Sequence, residues 1–449
     1  MMFLLQKNKI NLNQIIALIF SLLILTGSLL LALPVSSRTG GSCGFLTALF
    51  TAVSSVCVTG LSVADIWTTF SFFGQLVILL LMEVGGLGFM SAVSVLFYIV
   101  NHNHNIHSLS LIAESLGSDG LRDIIRIQKR LLIGSVLFEL IGAIILFFSF
   151  LPYFDAKTAA WLGIFHSVSA FCNAGFDLMG IVSQGSSLEI FNNNPVVLIT
   201  IACLIILGGL GFVVWDDIAA SKHIRNWSVY TKLVLSVTAV LIVTGSVLFL
   251  LIEFNNPESI GAMTLPCKIS NSFFQSVTAR TAGFAAVSQN NLSDTSIALT
   301  VILMFIGGSS GSTAGGIKTV TFIVLLTVII SSMLGKKNYV IFGRTISKEQ
   351  YAQAYGVAGS FILLSIIGAF VINISSDVSF AQSLFESVSA LATVGLSLGI
   401  TPSLSYMSKI VLILFMYIGR VGLLTLTIGF LKAKETAAIK YPLIKIIIG

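Results

Sequence analysis

The chain has 449 residues, 56% hydrophobic and 9% charged, with a formal net charge of +6. Soluble domains carry about 25% charged residues, so this composition excludes an ordinary soluble fold and indicates an integral membrane protein. The basicity does not indicate nucleic acid, because it is segregated: seventeen Lys and Arg fall in segments 7–9, 122–130, 222–232, 336–348 and 432–445, while the alternating segments hold only Arg38, Lys157, Lys268 and Lys409. By the positive-inside rule this predicts a multi-pass cell-membrane protein with both termini and three connecting loops in the cytoplasm.

In chain order, the first apolar run is residues 15–33, behind Lys7 and Lys9. Its nineteen residues suffice to span a bilayer and exceed the about 7–15 of a signal peptide, so it reads as a retained helix. "FTAVSSVCVTGLS" (50–62) follows, then an apolar run from Phe72 containing "VGGLGF" (84–89). "NHNHNIH" (101–107) alternates histidines, but with no Cys or carboxylate close by it reads as a solvated loop rather than a metal site. The same order returns as run 131–151, "FHSVSAFCNAGFD" (165–177) and a run from Val196 with "LGGLGF" (207–212). It returns again as run 233–252, "FQSVTARTAGFA" (274–285), one residue shorter, and a run from Ile297 with "IGGSSG" (306–311). The last copy is run 355–374, "FESVSALATVGLS" (385–397) and a run from Ile410 with "IGRVGL" (418–423). Cys43, Cys57, Cys172, Cys203 and Cys267 form no CxxC and read as small apolar side chains.

Four internal repeats result: 1–110 (pore segment 46–62), 111–230 (161–177), 231–345 (270–285, with an intramembrane loop at 307–319) and 346–449 (381–397, with a cytoplasmic C-terminus). Their aligned glycines, Gly60, Gly175, Gly283 and Gly395, are 115, 108 and 112 residues apart. Each short segment holds about ten helix-capable residues, a rise of about 15 Å, half the hydrocarbon core. Such a segment dips in and returns. The predicted fold is all-α: four parallel helix–pore-loop–helix repeats, eight transmembrane helices, around a pseudo-four-fold central pore. Irregular backbone at membrane depth survives only where protein buries it or water lines it. A ring of carbonyls replacing the hydration shell of a monovalent cation meets that condition.

The four segments resemble the selectivity-filter loops of the Trk/Ktr/HKT superfamily of potassium transporters, over essentially the whole chain. Each strand holds one glycine, as in that family, not the GYG of tetrameric potassium channels. The resemblance implies filter carbonyls at Val58, Thr59, Gly60, Asn173, Ala174, Gly175, Thr281, Ala282, Gly283, Thr393, Val394 and Gly395, with potassium as the bound and transported ion. Gly60 is similar to the potassium-preferring members; sodium as an activator is implied by resemblance only.

The inner runs carry a second glycine set. Gly85, Gly208, Gly307 and Gly419 lie 25, 33, 24 and 24 residues past the filter glycines, which predicts a common helix break under the filter. In the fourth copy the next glycine is replaced by Arg420, which by register points into the conduction path; pairing with Glu83, Glu139 or Glu386 is the alternative. Arg280, beside the third strand, is expected to pair with one of those acids. The third inner run spans 295–334, about 60 Å as one helix and twice the hydrocarbon core, so it must break. That break, Gly307, Gly308, Ser309, Ser310, Gly311, Ser312, Thr313, Ala314, Gly315, Gly316, Ile317 and Lys318, resembles the intramembrane gating loop of Trk/Ktr subunits. The resemblance further implies a Ktr-type (KtrB-like) membrane subunit, a homodimer working with a cytosolic ring of nucleotide-binding regulatory subunits (KtrA-like), and no cofactor in this chain.

Other classes fit less well. A phosphate loop requires GxxxxGK[ST] after a strand; here Ile317 intervenes before Lys318 and the approach is an apolar helix. An intramembrane enzyme needs convergent groups, whereas Glu83, Glu139 and Glu386 sit at unlike positions of their repeats and His166 has no evident partner. A sodium- or cation-coupled secondary transporter with alternating access is the remaining alternative, although such folds usually show inverted rather than parallel halves.

Overall fold

The computed structural model describes residues 12–101, 121–221, 223–336 and 338–422. Lys7, Lys9, Lys222, the histidines His102, His104 and His107, and the basic residues Lys432, Lys434, Lys440 and Lys445 lie outside the described residues.

One order of elements recurs along the chain: a long helix, a shorter helix, a non-helical segment (the strand of the motif), then an inner helix. The first copy is α1 (Leu12–Ala32), α2 (Phe45–Val56) and α3 (Phe72–Asn101). The second is α4 (Leu121–Phe150), α5 (Ala156–Phe171) and an inner helix in two pieces, α6 (Pro195–Leu210) and α7 (Phe212–Ala220), bent by 90°. The third is α8 (Val229–Glu253), α9 (Leu265–Thr278), α10 (Asp294–Phe305) and α11 (Thr319–Met333). The fourth, after a small hairpin of β1 (Val340–Ile341) and β2 (Arg344–Thr345), is α12 (Lys348–Ser375), α13 (Phe380–Leu391) and α14 (Tyr406–Val421).

Among the described residues four helices are long and apolar enough to cross a membrane, Gln14–Ala32, Leu132–Phe150, Val229–Glu253 and Lys348–Ser375, or five counting the bent pair. These four are the leading helices of the four copies. The inner helices fall short of that test for a physical reason in two copies: α6/α7 and α10/α11 are interrupted by non-helical backbone. On α1, Leu18, Leu22, Leu25 and Leu29 are all about half exposed at helical spacing, the stripe expected against lipid.

The short helices α2, α5, α9 and α13 have 12, 16, 14 and 12 residues, longer than the ten expected. They rise about 18–24 Å, still less than the hydrocarbon core of about 30 Å. Their starts are written locally: Asp155 accepts from the Lys157 and Thr158 amides at 3.2 Å, and Ser379 forms a capping box with Gln382. Three of them, α5, α9 and α13, pack on their leading helices through a serine–glycine contact. Ser167, Ser276 and Ser387 donate to the Glu139, Ile242 and Ser365 carbonyls at 2.6, 2.9 and 2.8 Å. Facing them, Gly142, Gly245 and Gly368 leave no room for a Cβ, which would strike the same hydroxyls. Close approach over small residues is how helices associate in lipid, where apolar burial alone drives little. The phenylalanine that opens each motif, Phe50, Phe165, Phe274 and Phe385, is fully buried.

Candidate functional site

The four single-glycine strands meet one another in a closed cycle. A Cβ at Gly60 would lie 2.5 Å from the Ala174 carbonyl oxygen, at Gly175 2.5 Å from that of Ala282, and at Gly283 2.6 Å from that of Val394. A Cβ at Gly395 would strike the Thr59 carbonyl oxygen and close the ring. Eight of the twelve expected filter residues, Thr59, Gly60, Ala174, Gly175, Ala282, Gly283, Val394 and Gly395, thus come to one place. All four glycines have positive φ, 92°, 71°, 84° and 94° in chain order.

The strain is not confined to glycine. Val58, Asn173, Thr281 and Thr393, two positions earlier in each strand, have φ of 56°, 56°, 69° and 51°. Three of these are β-branched, for which the left-handed region is a genuine outlier, at about 1–3 kcal/mol each. In three strands the cause is the way the short helix ends. The Val58 amide donates to Ser55 O at 3.1 Å and the Thr59 amide to Ser54 O at 2.8 Å, a Schellman ending with Val58 in the position glycine normally takes. Asn173 with Ala174, and Thr393 with Val394, repeat the pattern at 2.7–3.1 Å. The third strand, one residue shorter, differs: Ala282 and Gly283 both donate to Thr278 O, at 3.0 and 3.4 Å.

A hydroxyl then clasps each strand. Gly60 and Gly395 amides donate to Ser54 Oγ and Ser389 Oγ at 3.1 Å. Ser169 Oγ and Thr278 Oγ1 instead donate past the glycine to the Phe176 and Phe284 carbonyls at 2.7 Å. These four Ser/Thr occupy one motif position, a signal visible in the alignment but not assigned a role there. The residue after each motif phenylalanine secures the outgoing chain in three copies. His166 Nε2 accepts from the Leu178 amide at 3.3 Å, Gln275 Nε2 donates to Gln289 Oε1 at 2.8 Å, and Glu386 accepts from Thr401 Oγ1 at 3.0 Å and from Ser397.

The inner-helix glycines correct the expectation of a common break. Cβ atoms at Gly85, Gly208 and Gly419 would strike the carbonyls of Val56, Phe171 and Leu391, the last residues of α2, α5 and α13. Close packing against the short helices, not a break, explains the first glycine. In the second copy the break comes three residues later, at Gly211 with φ 87°, and α14 ends at Gly422 with φ 93°; in the third copy the helix has already ended at Phe305, so Gly307 lies within the break. In the first copy there is none, since α3 is continuous to Asn101.

The third-copy loop is fixed at both ends and in the middle. Ile306 pairs with Ile317, the Gly307 amide donates to Ile317 O at 2.9 Å, and the Thr319 amide to Gly308 O at 3.0 Å. It clings to the second copy's break: Ser309 and Thr313 amides donate to Gly209 and Gly208 carbonyls at 3.1 and 3.3 Å, and Phe212 N to Gly311 O at 3.0 Å; Tyr230 OH of α8 donates to Ser310 O at 3.0 Å. Ser312 Oγ donates to Ser309 O at 2.7 Å, and Lys318 Nζ to Ala314 O at 2.7 Å. A Cβ at Gly315 would strike Thr393 Oγ1 and approach Ala392 O at 2.8 Å, so the loop lies against the root of the fourth strand; Gly316 has φ 67°.

Neither arginine pairs with an acid among the described residues, against the expectation for Arg280 and the alternative weighed for Arg420. Arg420 Nη2 donates to Gly85 O at 2.6 Å and Gly86 O at 3.0 Å, and Nη1 donates to Thr313 O. Buried Arg280 donates through Nη2 to Gly307 O at 3.4 Å, and no acid pairs with it among the described residues. The acids are engaged elsewhere: Glu386 with hydroxyls, and Glu83 and Glu139 side by side with Cys172. That last convergence also corrects the reading of unlike, isolated acids.

A family model described as "Cation transport protein", TrkH, matches residues 11–440. The chain is 38% identical to the potassium/sodium uptake protein NtpJ of Enterococcus hirae, covering 99% of this chain and 98% of the relative. It is 37% identical to Ktr system potassium uptake protein B of Bacillus subtilis, covering 96% and 95%. In fold it is similar to the potassium transporter TrkH from Vibrio parahaemolyticus, with TM-score 0.72, 17% identity, and coverage of 93% of this chain and 84% of that one.

Proposed function

Because the chain belongs to the TrkH family of cation transport proteins, we propose that it carries potassium across the cell membrane through a central pore lined by its four single-glycine strands. The observation that carries this reading is the closed cycle from Gly60 through Gly175 and Gly283 to Gly395. Twelve residues, 58–60, 173–175, 281–283 and 393–395, then offer backbone oxygens in place of potassium's water shell. The C-terminal ends of α2, α5, α9 and α13, carrying partial negative charge, approach the ring and favour a cation there. The proposed architecture is the eight-helix, four-repeat pore with the repeat limits given above and both termini cytoplasmic.

Residues 307–318 with Arg420 form the gate in this reading. The loop's bonds to the second copy, to the fourth strand's root and to Arg420 support it. The protein works as a homodimer on a cytosolic ring of KtrA-like nucleotide-binding subunits; the "Ktr system" wording of a relative's name supports a multi-component assembly. Transport in this reading needs no cofactor in this chain; nucleotide is bound by the partner and sodium acts as an activator. A relative named for both potassium and sodium favours a second reading, sodium-coupled alternating access.

The deciding experiment measures potassium, rubidium and sodium flux in proteoliposomes for the natural protein and Gly60→Ser. Loss of preference for potassium in the variant supports the filter; equal selectivity in both removes it. Deleting residues 312–318 tests the gate, since an unchanged nucleotide response of the complex would show that the loop does not gate. Potassium flux that requires a sodium gradient would select the second reading.

A further inference from the structure

Glu83, Glu139 and Cys172 come together although they belong to three different helices or helix ends. One ligand atom from each, two carboxylate oxygens and a thiol sulfur, lies within 4.8 Å of the others. Glu83 is on α3, Glu139 on α4, and Cys172 caps the C-terminus of α5 directly before the strand residue Asn173. Cys172 Sγ is fully buried and donates to Glu83 Oε2 at 3.4 Å. Glu139 is 8% exposed, and no donor reaches its buried Oε1.

Two carboxylates this close cannot both stay ionised in a buried setting without a compensating cation. Among the described residues no Lys, Arg or His forms an ion pair with either. The thiol has room only because residue 86 is glycine: a Cβ there would lie 2.8 Å from Cys172 Sγ. A buried acceptor without a donor, a second carboxylate and a thiol admitted by a glycine together make a set of metal-type donors.

We propose that Glu83, Glu139 and Cys172 bind one divalent cation of the zinc class, clamping the first copy's inner helix to the root of the second strand. The donor set decides the class: a thiolate selects borderline and soft ions, and carboxylates complete a tetrahedral zinc-type shell with a fourth position open. Metal–oxygen and metal–sulfur bonds of about 2.0–2.3 Å place ligand atoms roughly 3.5 Å apart, so the set closes with about 1 Å of side-chain movement. On binding, the Cys172 S–H bond breaks, the proton leaves to solvent and the sulfur forms the metal bond, so binding releases protons and strengthens with pH.

The test uses purified full-length protein, with zinc and cadmium as probes and magnesium as the control ion. Metal per chain is measured after equilibrium dialysis, thermal melting is followed with and without metal, and cadmium is followed by its thiolate charge-transfer absorption. The expected result is one zinc or cadmium per chain, a raised melting temperature, the thiolate band, and no effect of magnesium. Glu139→Gln and Glu83→Gln are each expected to weaken binding by at least about a hundredfold, since outer-shell changes alone cost 10–100-fold. Metal-free melting of both variants checks that they fold. Less than one metal per chain, or unchanged binding in both folded variants, overturns the site and leaves a proton shared between the carboxylates in its place. The readout is binding, so it does not depend on which ion the pore carries.

Discussion

Arg420 donates to the Gly85 carbonyl at 2.6 Å across 335 residues of sequence, and the same guanidinium donates to Thr313 in the third-copy loop. One side chain therefore holds the loop against the first copy's inner helix. Hydrogen bonds from charged donors contribute about 1.5–3 kcal/mol each. Replacement by Gln keeps length and loses the charge. Arg420→Gln is expected to raise basal rubidium flux in proteoliposomes by about tenfold or more, the equivalent of one 1.4 kcal/mol contact. Flux at or below the natural level would show that Arg420 does not hold the loop closed.

The glycine ring separates two costs of adding a methyl group. Gly44 has φ 86° and ψ 138° but nothing within 4 Å of a Cβ, so Gly44→Ala meets backbone strain alone, about 1–3 kcal/mol. Gly395→Ala meets the same strain and the Thr59 carbonyl as well. The expected outcome is near-normal potassium flux for Gly44→Ala and abolished selectivity for Gly395→Ala. Similar flux and selectivity in the two variants would sink the ring as the selective element.

The hydroxyl clasps predict a graded effect. Ser54→Ala and Ser389→Ala each leave a glycine amide without its side-chain acceptor, at about 1–3 kcal/mol. Each is expected to reduce the potassium-to-sodium flux ratio, and the double variant to reduce it further, while expression stays close to normal. A lowered melting temperature with unchanged ion preference would assign these hydroxyls to stability alone.

The inner-helix glycines yield a packing test. Gly85→Ala, Gly208→Ala and Gly419→Ala push a methyl into a short-helix carbonyl, whereas Gly209→Ala would place one 3.6 Å from Asn173 Nδ2, an ordinary contact. Melting of the detergent-solubilised protein is expected to drop by several degrees for the first three, in line with the 1–3 kcal/mol of overpacking, and little for the fourth. Equal drops in all four would contradict packing as the reason for the first glycine.

The recurring motif and its glycines were legible because both are written locally, and because repetition in register separates a pattern from chance. The interrupted third inner run was legible from length: its helices are Asp294–Phe305 and Thr319–Met333, as the two apolar halves suggest. The left-handed backbone at Val58 and Thr393 was not, since valine and threonine signal extended backbone and only the helix ending beneath them imposes the turn; Thr281 shares the conformation without that ending. The position of the second copy's break was missed because a glycine needed for contact, Gly208, and a glycine needed for a positive φ, Gly211, look alike in sequence. Glu83 and Glu139 were read apart because their meeting depends on how α3 packs on α4, which no spacing within either helix encodes.

The contact between Gly395 and Thr59 also sets an order on biosynthesis. These residues are 336 positions apart, so at about 5–20 residues per second the ribosome needs roughly 15–70 s after making the first strand before it delivers the residue that completes the circle. Throughout that interval the newborn first strand faces an open flank. Nascent chains arrested before residue 395 hold the other three strands with one edge unfilled, and they are the species on which membrane chaperones and quality-control proteases would act.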